Sequence, residues 1–250
     1  MAKFAIIGYP ARHSLSPAIF AAAYPNSRDS YDFIEAPTIE EAMNIFRKGD
    51  YKGANVTSPF KQEVIQYCDH TDDIVSNANA SNLIIERDGK IYGYNSDYYG
   101  VKEISATLAA NRTIRNKAIV TGAGGAGRAA ALALIGLGFE VAILNRTIEN
   151  ARNFANKAGA YYGPLSEIPT LLSANALLVH TTDYEIPYQK EIDFSEIAII
   201  EANYKKPNLS TLICKNYISG REWLISQAIP AFKILTTSEP DVAAIKKILE

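Results

Sequence analysis

A lysine and an aspartate, each at the end of a short polar motif, could carry out proton transfer in this chain. Lys61 ends the segment GANVTSPFK, and Asp97 ends the segment GYNSD. A strand is predicted over residues 54–56, and the following Ser58-Pro59 is typical of the first residues of a helix. Lys61 would then lie at the positive end of the helix dipole, which could lower the pKa of the lysine toward the range of a proton shuttle. The alternative for Lys61 is a solvated position on the protein surface.

The chain also contains a loop pattern that binds dinucleotides. Gly122, Gly124 and Gly127 fit G-x-G-x-x-G, and Gly125 and Ala126 complete the loop. A predicted strand precedes the loop, a predicted helix follows it, and a second strand comes about 20 residues later. A proton-transfer lysine beside a dinucleotide site indicates an oxidoreductase. The alternative is a glycine-rich turn that only permits close packing of strand and helix.

The residues after that second strand indicate which dinucleotide is bound. NAD-specific proteins usually carry Asp or Glu at this point, whereas this chain reads Asn145-Arg146-Thr147. An arginine and a hydroxyl suit a 2′-phosphate, so NADP is expected in preference to NAD. A solvated loop arginine is the alternative for Arg146.

Two serines near the N-terminus could hold a carboxylate. Ser14 and Ser16 lie two positions apart, so in an extended backbone both hydroxyls point to the same side. Ser16-Pro17 again predicts a helix start, whose free amides favour an anion. Taken alone, the pattern would be better explained by a serine cap with a neighbouring loop serine.

The composition is typical of a globular protein and does not indicate nucleic acid or a membrane as a partner. The chain has 250 residues, of which 48% are hydrophobic and 21% charged, with a net charge of −2. The longest nearly apolar run, residues 129–139, is shorter than the roughly 20 residues that span a bilayer, and the N-terminal residues show no secretion signal. Cys68 and Cys214 are isolated and lack metal-ligand spacing, which predicts reduced thiols, no metal site and a cytoplasmic protein.

Alternating strand and helix patterns predict an α/β fold. In the first 100 residues the predicted strands are KFAIIGY and residues 31–34, and the predicted helices are residues 17–24 and 39–48. LIIERDGKIYGYN predicts a hairpin that turns at Asp88-Gly89. Residues 112–220 repeat the alternation, which favours a parallel sheet covered by helices, and residues 221–250 are predicted to be helical with a break near Pro240.

Together these segments resemble the shikimate dehydrogenase family over nearly the whole chain. GYPARHSLSP is similar to the family's substrate-carboxylate motif, NVTSPFK to its catalytic-lysine motif, and GYNSD to the motif of its catalytic aspartate. GAGGAGRA and NRT resemble its NADP loop and its 2′-phosphate loop. Tyr204 with Pro207 resembles a tyrosine segment near the active site, and Gly220, Leu224 and Gln227-Ala228 resemble its C-terminal glutamine motif.

The resemblance implies a two-domain enzyme. Residues 1–101 plus 221–250 would form an α/β substrate-binding and catalytic domain, with the C-terminal helices packed back against it, and residues 102–220 would form a Rossmann domain that binds NADP. The implied reaction is the reversible NADPH-dependent reduction of 3-dehydroshikimate to shikimate, on the chorismate pathway of aromatic amino-acid biosynthesis. The expected protein is a cytoplasmic monomer or homodimer acting on a small-molecule substrate.

The resemblance also assigns roles to residues. Lys61 would protonate the developing alkoxide, or deprotonate the alcohol in reverse, and Asp97 would hydrogen-bond the reacting hydroxyl and orient Lys61. Asp97 would also suit the N-cap of a helix over residues 98–110. The other implied substrate-binding residues are Ser14, Ser16, Thr57, Ser81, Tyr204 and Gln227, and the implied cofactor-binding residues are Gly122, Gly124, Gly125, Ala126, Gly127, Asn145, Arg146 and Thr147.

Several positions around substrate and cofactor depart from the family pattern. Ser81-Asn82 stand where the family usually has Asn-Thr, so one hydroxyl replaces an amide that offers both donor and acceptor. Either Asn79 or Asn82 reaches the substrate, water fills the gap, or the substrate differs. The further departures are HTTD at residues 180–183 in place of Asn-Ala-Thr, Trp223 in place of a methionine, and Asn150 in place of an arginine, with Arg152 nearby.

Three functions are compatible with these residues. The first is an NADP-dependent shikimate dehydrogenase. The second is a family member acting on quinate or a related cyclic hydroxy acid, which the departures at Ser81 and Trp223 suggest. The third is a non-catalytic ligand-binding or regulatory homologue, which the retention of both Lys61 and Asp97 disfavours.

Overall fold

The protein consists of two compact units. The structure, a computed structural model, describes residues 1–249. One unit contains Met1–Ser96 together with the chain from Gln227 onward, and the other contains Asp97–Ser226. The sequence-based division at residues 101/102 and 220/221 lies a few residues from these boundaries.

The strands of residues 1–249 form two six-stranded sheets, one in each unit. The first sheet contains β1 (Lys3–Gly8), β2 (Ser30–Glu35), β3 (Gly53–Val56), β4 (His70–Thr71), β5 (Leu83–Arg87) and β6 (Lys90–Tyr94). The second contains β7 (Lys117–Thr121), β8 (Glu140–Leu144), β9 (Tyr161–Gly163), β10 (Leu177–His180), β11 (Ala198–Glu201) and β12 (Asn216–Ile218).

The helices alternate with these strands along the chain, as the sequence predicts. The α-helices are α1 (Ser16–Ala23), α2 (Ile39–Lys48), α3 (Asp73–Ala78), α4 (Ser96–Ala110), α5 (Gly125–Gly136), α6 (Ile148–Ala158), α7 (Ile168–Leu171), α8 (Gly220–Thr236) and α9 (Val242–Leu249). Short 3-10 helices cover Glu63–Tyr67, Leu165–Glu167 and Gln189–Glu191.

The sheet of the first unit is mixed, in the order β2-β1-β3-β5-β6-β4. β1 pairs in parallel with β2 and β3, whereas β5 runs antiparallel to β3 and β6. The predicted hairpin between β5 and β6 is confirmed. Its two turn residues, Asp88 and Gly89, have φ values of 52° and 76°, and a positive φ at both central residues is the mark of a type I′ turn.

The part of α8 from Gln227 onward packs within the first unit together with α9, as predicted. The Asp241 amide donates a hydrogen bond to the Ala23 carbonyl at 3.0 Å, which joins the start of α9 to the end of α1. Phe232 of α8 packs edge-on against Phe20 of α1, with ring centroids 5.5 Å apart. α8 and α9 therefore pack against α1 in the first unit.

The sheet of the second unit is entirely parallel, in the order β12-β11-β10-β7-β8-β9. Val120 and Val179 belong to one hydrophobic cluster, while their neighbours Ile119 and Leu178 belong to another. Because successive side chains of a strand point to opposite faces, both faces of this sheet are buried. β7 lies between β8 and β10, so the chain changes direction across the sheet at the carboxyl end of β7, which is where ligands bind in such folds.

The prediction of a helix opening at Ser58-Pro59 is wrong. Residues 58–62 form turns, and the next helical segment is the 3-10 helix that begins at Glu63. The Phe60 amide bonds to the Thr57 carbonyl at 3.0 Å, which closes a four-residue turn. Lys61 therefore does not lie at the positive end of an α-helix dipole.

No helix within residues 1–249 is both long enough and apolar enough to cross a bilayer.

Candidate active site

The two serines of the GYPARHSLSP segment are held together at the start of α1. Ser14 Oγ donates a hydrogen bond to Ser16 Oγ at 3.1 Å and accepts one from the Ser16 amide at 3.2 Å. α1 begins at Ser16 after the N-cap residue Leu15, so neither serine is the helix cap. The two hydroxyls therefore meet beside the free amides of a helix start, as a carboxylate site requires.

A half-buried carboxylate at the end of β2 fixes the loop that carries these serines. Glu35 ends β2, and its carboxylate accepts hydrogen bonds from the amides of Ala11 at 2.6 Å and Arg12 at 3.0 Å. These amide bonds, the one from Ala11 first, lower the pKa of the Glu35 carboxyl. The loop is thus held to the sheet by a carboxylate that stays charged at neutral pH.

Tyr31 and Asn55 extend the hydroxyl cluster. The Tyr31 hydroxyl donates to Asn55 Oδ1 at 2.6 Å, and Ser16 also hydrogen-bonds to Tyr31. Burial raises the pKa of Tyr31, so the phenol remains a neutral donor. Asn55 belongs to the NVTSPFK motif, which is a usable signal, whereas nothing in the sequence distinguishes Tyr31 from the other tyrosines of the chain.

Thr57 and Lys61 lie in one turn after β3. The Thr57 amide bonds to the Ile7 carbonyl at 2.9 Å, which continues the pairing of β3 with β1. Phe60, between them, is buried in the hydrophobic core of the first unit and anchors the turn from inside. Lys61 is half-buried, and its carbonyl accepts the Ser81 amide at 2.7 Å. The lysine is therefore carried by backbone that is fixed on both sides.

The structure places the Ser81 side chain in the protein interior, whereas the sequence predicts a substrate contact. The residue is fully buried, and its hydroxyl lies 3.0 Å from the Leu83 carbonyl oxygen and 2.9 Å from that of Tyr94. A serine hydroxyl has one proton to donate, and both acceptors here are backbone groups of the sheet. The Ser81 side chain therefore points into the protein interior.

Asn82, rather than Ser81, joins a predicted substrate-binding residue. The Ser96 amide donates to Asn82 Oδ1 at 2.7 Å, and Asn82 Nδ2 donates to Ser96 Oγ at 3.0 Å. Ser96 Oγ in turn donates to Gln227 Oε1 at 2.7 Å. These three buried side chains form a continuous hydrogen-bonded group in the first unit.

Asp97 belongs to the second unit and lies in the first turn of α4. It is buried, with 6% of its surface exposed. Because α4 begins at Ser96, Asp97 is inside the helix, and the suggestion that it is the N-cap is wrong. A carboxylate in the first turn is still favoured by the helix dipole.

The glycine-rich loop joins β7 to α5 with the backbone that a phosphate site needs. Gly122 has a φ of 100°, and Gly124 is the N-cap of α5, which begins at Gly125 and continues through Ala126. A Cβ atom on Gly127 would overlap the Gly122 carbonyl oxygen, so only glycine allows helix and loop to approach this closely. The helix start therefore presents its free amides to an anion.

The segment after β10 supports this loop from the neighbouring strand. The hydroxyl and the amide of Thr181 both bond to the Thr121 carbonyl, at 2.7 and 3.1 Å. His180 is fully buried, and its Nδ1 lies 2.7 Å from Thr121 Oγ1. Burial lowers the pKa of His180, which keeps the imidazole neutral. The unusual HTTD segment thus anchors the strand end that precedes Gly122.

Asn145, Arg146 and Thr147 follow β8 at the same edge of the sheet. Asn145 Nδ2 donates to the Thr147 carbonyl at 2.8 Å and shapes the turn before α6. Thr147 is the N-cap of α6, and its side chain makes no capping bond. The exposed Arg146 guanidinium lies 5.2 Å from the ring centroid of Tyr184, a cation–π contact with the loop after β10. A cation, a hydroxyl and a helix start therefore adjoin one another.

The segment that carries Tyr204 is held by a buried carboxylate. Glu201 ends β11 and accepts hydrogen bonds from the amides of Asn208 and Leu209, at 2.5 and 3.2 Å, and from the Tyr217 hydroxyl at 2.6 Å. Glu201 is fully buried, so these donors replace its hydration. The half-buried Tyr204 lies within the loop that these bonds close.

Two other departures from the expected pattern have structural contacts. Trp223 is buried in the hydrophobic core of the second unit. Arg152 bonds to the Tyr162 hydroxyl at 3.2 Å and to Glu149 at 3.3 Å on the exposed side of α6.

The two units offer complementary chemistry. The first presents hydroxyls, an amide and an ammonium group, which suit a small polyhydroxylated acid and a proton transfer. The second presents a glycine-rich helix start and a second helix start with an arginine, which suit the phosphates of a dinucleotide. Within residues 1–249, no cluster of three or more His, Cys, Asp or Glu could hold a metal ion.

Known proteins match both units. Residues 6–84 match the family model described as the shikimate dehydrogenase substrate binding domain, and residues 104–204 match the one described as shikimate / quinate 5-dehydrogenase. The chain is 32% identical to the shikimate dehydrogenase (NADP(+)) of Halobacterium salinarum, with 100% of this chain and 98% of that protein covered. The chain belongs to the shikimate dehydrogenase family. The family resemblance predicted from the motifs is therefore confirmed.

Other members of the shikimate dehydrogenase family agree in length and fold. The shikimate dehydrogenase (NADP(+)) of Archaeoglobus fulgidus is 30% identical, with 99% of this chain and 97% of that protein covered. The crystal structure of shikimate 5-dehydrogenase from Thermus thermophilus in complex with NADP(H) and shikimate is 28% identical, covers 100% of this chain and 98% of its own, and superposes with a TM-score of 0.83. The predicted α/β fold with a Rossmann unit is thus confirmed.

Proposed function

We propose that this protein is an NADP-dependent shikimate dehydrogenase that reversibly reduces 3-dehydroshikimate to shikimate in aromatic amino-acid biosynthesis. The observation that carries the proposal is the full-length relationship to enzymes named shikimate dehydrogenase (NADP(+)). The reaction class is oxidoreduction at a CH–OH group. It needs a site for the acid, a proton donor and a hydride carrier.

The first unit holds the substrate. Ser14 and Ser16 donate hydrogen bonds to its carboxylate, and their 3.1 Å separation supports a shared anion site. Thr57 and Gln227 contact the ring hydroxyls. The family resemblance assigns Tyr204 to substrate binding as well.

Lys61 and Asp97 carry the proton transfer. In the direction of reduction, the carbonyl carbon receives a hydride, and the Lys61 ammonium gives its proton to the carbonyl oxygen, so that C=O becomes CH–OH. In the direction of oxidation, neutral Lys61 takes the hydroxyl proton. The family resemblance assigns to Asp97 a hydrogen bond to the reacting hydroxyl.

The second unit holds NADP, which supplies the hydride when it is bound as NADPH. Gly122, Gly124, Gly125, Ala126 and Gly127 bind the pyrophosphate through the start of α5. Asn145, Arg146 and Thr147 bind the 2′-phosphate. The exposed guanidinium beside the N-cap of α6 supports this assignment, because arginine is the usual partner of that group.

Steady-state rates with shikimate and quinate, each against NADP and NAD, test the proposal. The expected result is the highest kcat/KM for shikimate with NADP. A higher kcat/KM for quinate would support the second candidate, which the family model described as shikimate / quinate 5-dehydrogenase favours. Binding of either acid without turnover would support the non-catalytic alternative and overturn the proposed activity.

The protein acts in the cytoplasm as a monomer or homodimer. The composition of a globular protein with few, isolated cysteines supports the compartment. Sedimentation equilibrium at several protein concentrations distinguishes the two oligomeric states, and a larger assembly would contradict this part of the proposal.

A further inference from the structure

We infer that Tyr184 is a positioning residue that holds the Arg146 side chain in place for the 2′-phosphate and so favours NADP over NAD. The inference rests on the proposed function for the identity of the cofactor. Both residues belong to the second unit. Arg146 lies in the turn between β8 and α6, and Tyr184 lies in the loop after β10, so their contact joins two segments that are distant along the chain.

The contact between the two side chains leaves the arginine its positive charge. Arg146 Cζ lies 5.2 Å from the centroid of the Tyr184 ring, within the range of a cation–π interaction. A ring attracts a cation without neutralising it, unlike the Glu149 carboxylate that pairs with Arg152 at 3.3 Å. Among the carboxylates of residues 1–249, none forms an ion pair with Arg146. The guanidinium therefore keeps its charge for an anion such as a phosphate.

Tyr184 is held by the second unit on which it lies. The residue is half-buried and packs against a hydrophobic cluster that includes Leu144, at the end of β8, and Ile186 of its own loop. Its backbone hydrogen-bonds to the buried His180 ring at the end of β10. The tyrosine is thus restrained through both its side chain and its backbone.

The backbone on either side of Arg146 is restrained as well, which leaves its long side chain as the part that could move. The Asn145 amide donates to the Gly163 carbonyl at 3.1 Å, and the Asn145 side chain donates to the Thr147 carbonyl at 2.8 Å. Immobilising a long side chain on binding weakens association by about three- to tenfold. An exposed arginine that a ring already holds avoids part of this loss, and so binds a phosphate more tightly.

The effect of Tyr184 should be confined to the dinucleotide that carries the 2′-phosphate. NAD has a hydroxyl at that position, so it gains little from a guanidinium held in place. A tyrosine that only packed in the core, or that contacted the adenine shared by both dinucleotides, would change the binding of both. The ratio of the two affinities therefore separates a positioning role from packing.

Substitutions at Tyr184 can remove the ring or keep it. Tyr184→Leu keeps an apolar side chain against the cluster and removes the aromatic face. Tyr184→Phe keeps that face and should retain the native behaviour. Tyr188→Leu is the matched control, because Tyr188 is an exposed tyrosine of the same loop. Arg146→Ala, alone and combined with Tyr184→Leu, completes a double-mutant cycle.

Calorimetric titration of each variant with NADP and with NAD gives the first readout. We expect Tyr184→Leu to weaken NADP binding by about three- to tenfold and to change NAD binding by less than about twofold. In the Arg146→Ala background the same substitution should have no further effect on NADP binding. Unchanged NADP affinity in a folded Tyr184→Leu variant, equal weakening of both dinucleotides, or the same loss with and without Arg146 would overturn the positioning role.

Nitrogen-15 relaxation of the Arg146 side chain, in protein without cofactor, gives a second readout that does not depend on activity. The order parameter of its Nε–H group should lie above about 0.6 in the native protein and in Tyr184→Phe, and below that value in Tyr184→Leu. A native value below about 0.6 would overturn the inference even if NADP binds tightly. Native protein that shows the restrained arginine and the selective loss in Tyr184→Leu, but does not oxidise shikimate, would overturn the proposed activity and leave the role of Tyr184 standing.

Discussion

Thr121 Oγ1 and His180 Nδ1 lie 2.7 Å apart at the carboxyl ends of the neighbouring strands β7 and β10. This contact sits directly before Gly122, so it joins the phosphate-binding loop to the strand that supports it. The imidazole is fully buried. Its protonation state is therefore tied to the stability of the second unit.

The first prediction follows from the lowered pKa of His180. Burial lowers this pKa, against the opposing effects of Glu201, the Tyr184 backbone and Asp183. A group whose pKa is lower in the folded state stabilises the fold above its unfolded pKa of about 6.5, and this stabilisation is lost as the pH falls below that value. We expect the unfolding temperature to fall between about pH 7.5 and about pH 5.5.

Substitution of the histidine tests this assignment. His180→Asn should reduce the change in unfolding temperature over that pH range, whereas His70→Asn, at an exposed position, should not. The carboxyl groups with lowered pKa, such as Glu35 and Glu86, lose their contributions only below about pH 4.5 and do not interfere. A pH dependence that is the same in His180→Asn as in the native protein would contradict the prediction.

The second prediction concerns proton transfer by Lys61. Lys61→Ala should keep the affinity for shikimate within a few-fold but lower kcat by about 10²–10⁴, the usual contribution of a positioned acid or base. Binding is measured by calorimetry and turnover by NADPH absorbance. Lys90→Ala, an exposed lysine at the start of β6, is the control and should leave both values unchanged. Near-native turnover in Lys61→Ala would rule out its catalytic role.

The third prediction concerns cofactor choice. Arg146→Ala should weaken NADP binding by roughly ten- to a hundredfold, since a hydrogen bond to a charged group contributes about 1.5–3 kcal/mol. NAD, which lacks the 2′-phosphate, should bind almost as before. Arg152→Ala is the matched control, because this arginine already bonds to Glu149 and Tyr162. Equal weakening of NADP binding and NAD binding would mean that Arg146 does not contact the 2′-phosphate.

Local sequence signals were enough for elements that combine a cap with an apolar face. α2 covers the predicted residues 39–48. The Thr38 hydroxyl caps the helix by accepting the Glu41 amide at 3.2 Å, and the helix buries Met43 and Phe46 on one side. The same kind of signal failed at Ser58-Pro59. At residue 16, Ser-Pro begins helix α1 because an apolar run follows it. Residues 58–62 instead form turns, and these place Phe60 in the hydrophobic core.

The site was predictable where a motif is continuous and not where distant segments meet. The glycine-rich turn at Gly122 and the turn before α6 that carries Arg146 both follow from contiguous patterns in the sequence. The group of Asn82, Ser96 and Gln227 depends on three segments that only the folded chain brings together, and no spacing along the sequence encodes it. Comparison with the family pattern pointed to Ser81, because an alignment compares positions and does not show which of two adjacent buried side chains hydrogen-bonds to Ser96.

The last prediction reverses what the family pattern alone would suggest for Ser81. If this serine were a weakened substrate contact, Ser81→Asn would restore an amide and lower the KM for shikimate. Instead the residue is fully buried, and its hydroxyl lies within 3.0 Å of the Leu83 and Tyr94 carbonyl oxygens. A larger side chain in this space should destabilise the protein by about 1–3 kcal/mol, as overpacking usually does.

Thermal unfolding and kinetics of two variants decide between these outcomes. Ser81→Asn should lower the unfolding temperature without improving the KM for shikimate. Ser81→Ala, which adds no volume, should lose only the buried hydrogen bond, or about 0.5–1.5 kcal/mol. A native unfolding temperature in Ser81→Asn together with a lower KM would mean that the introduced amide reaches the substrate, and that the loop before β5 can turn this position outward.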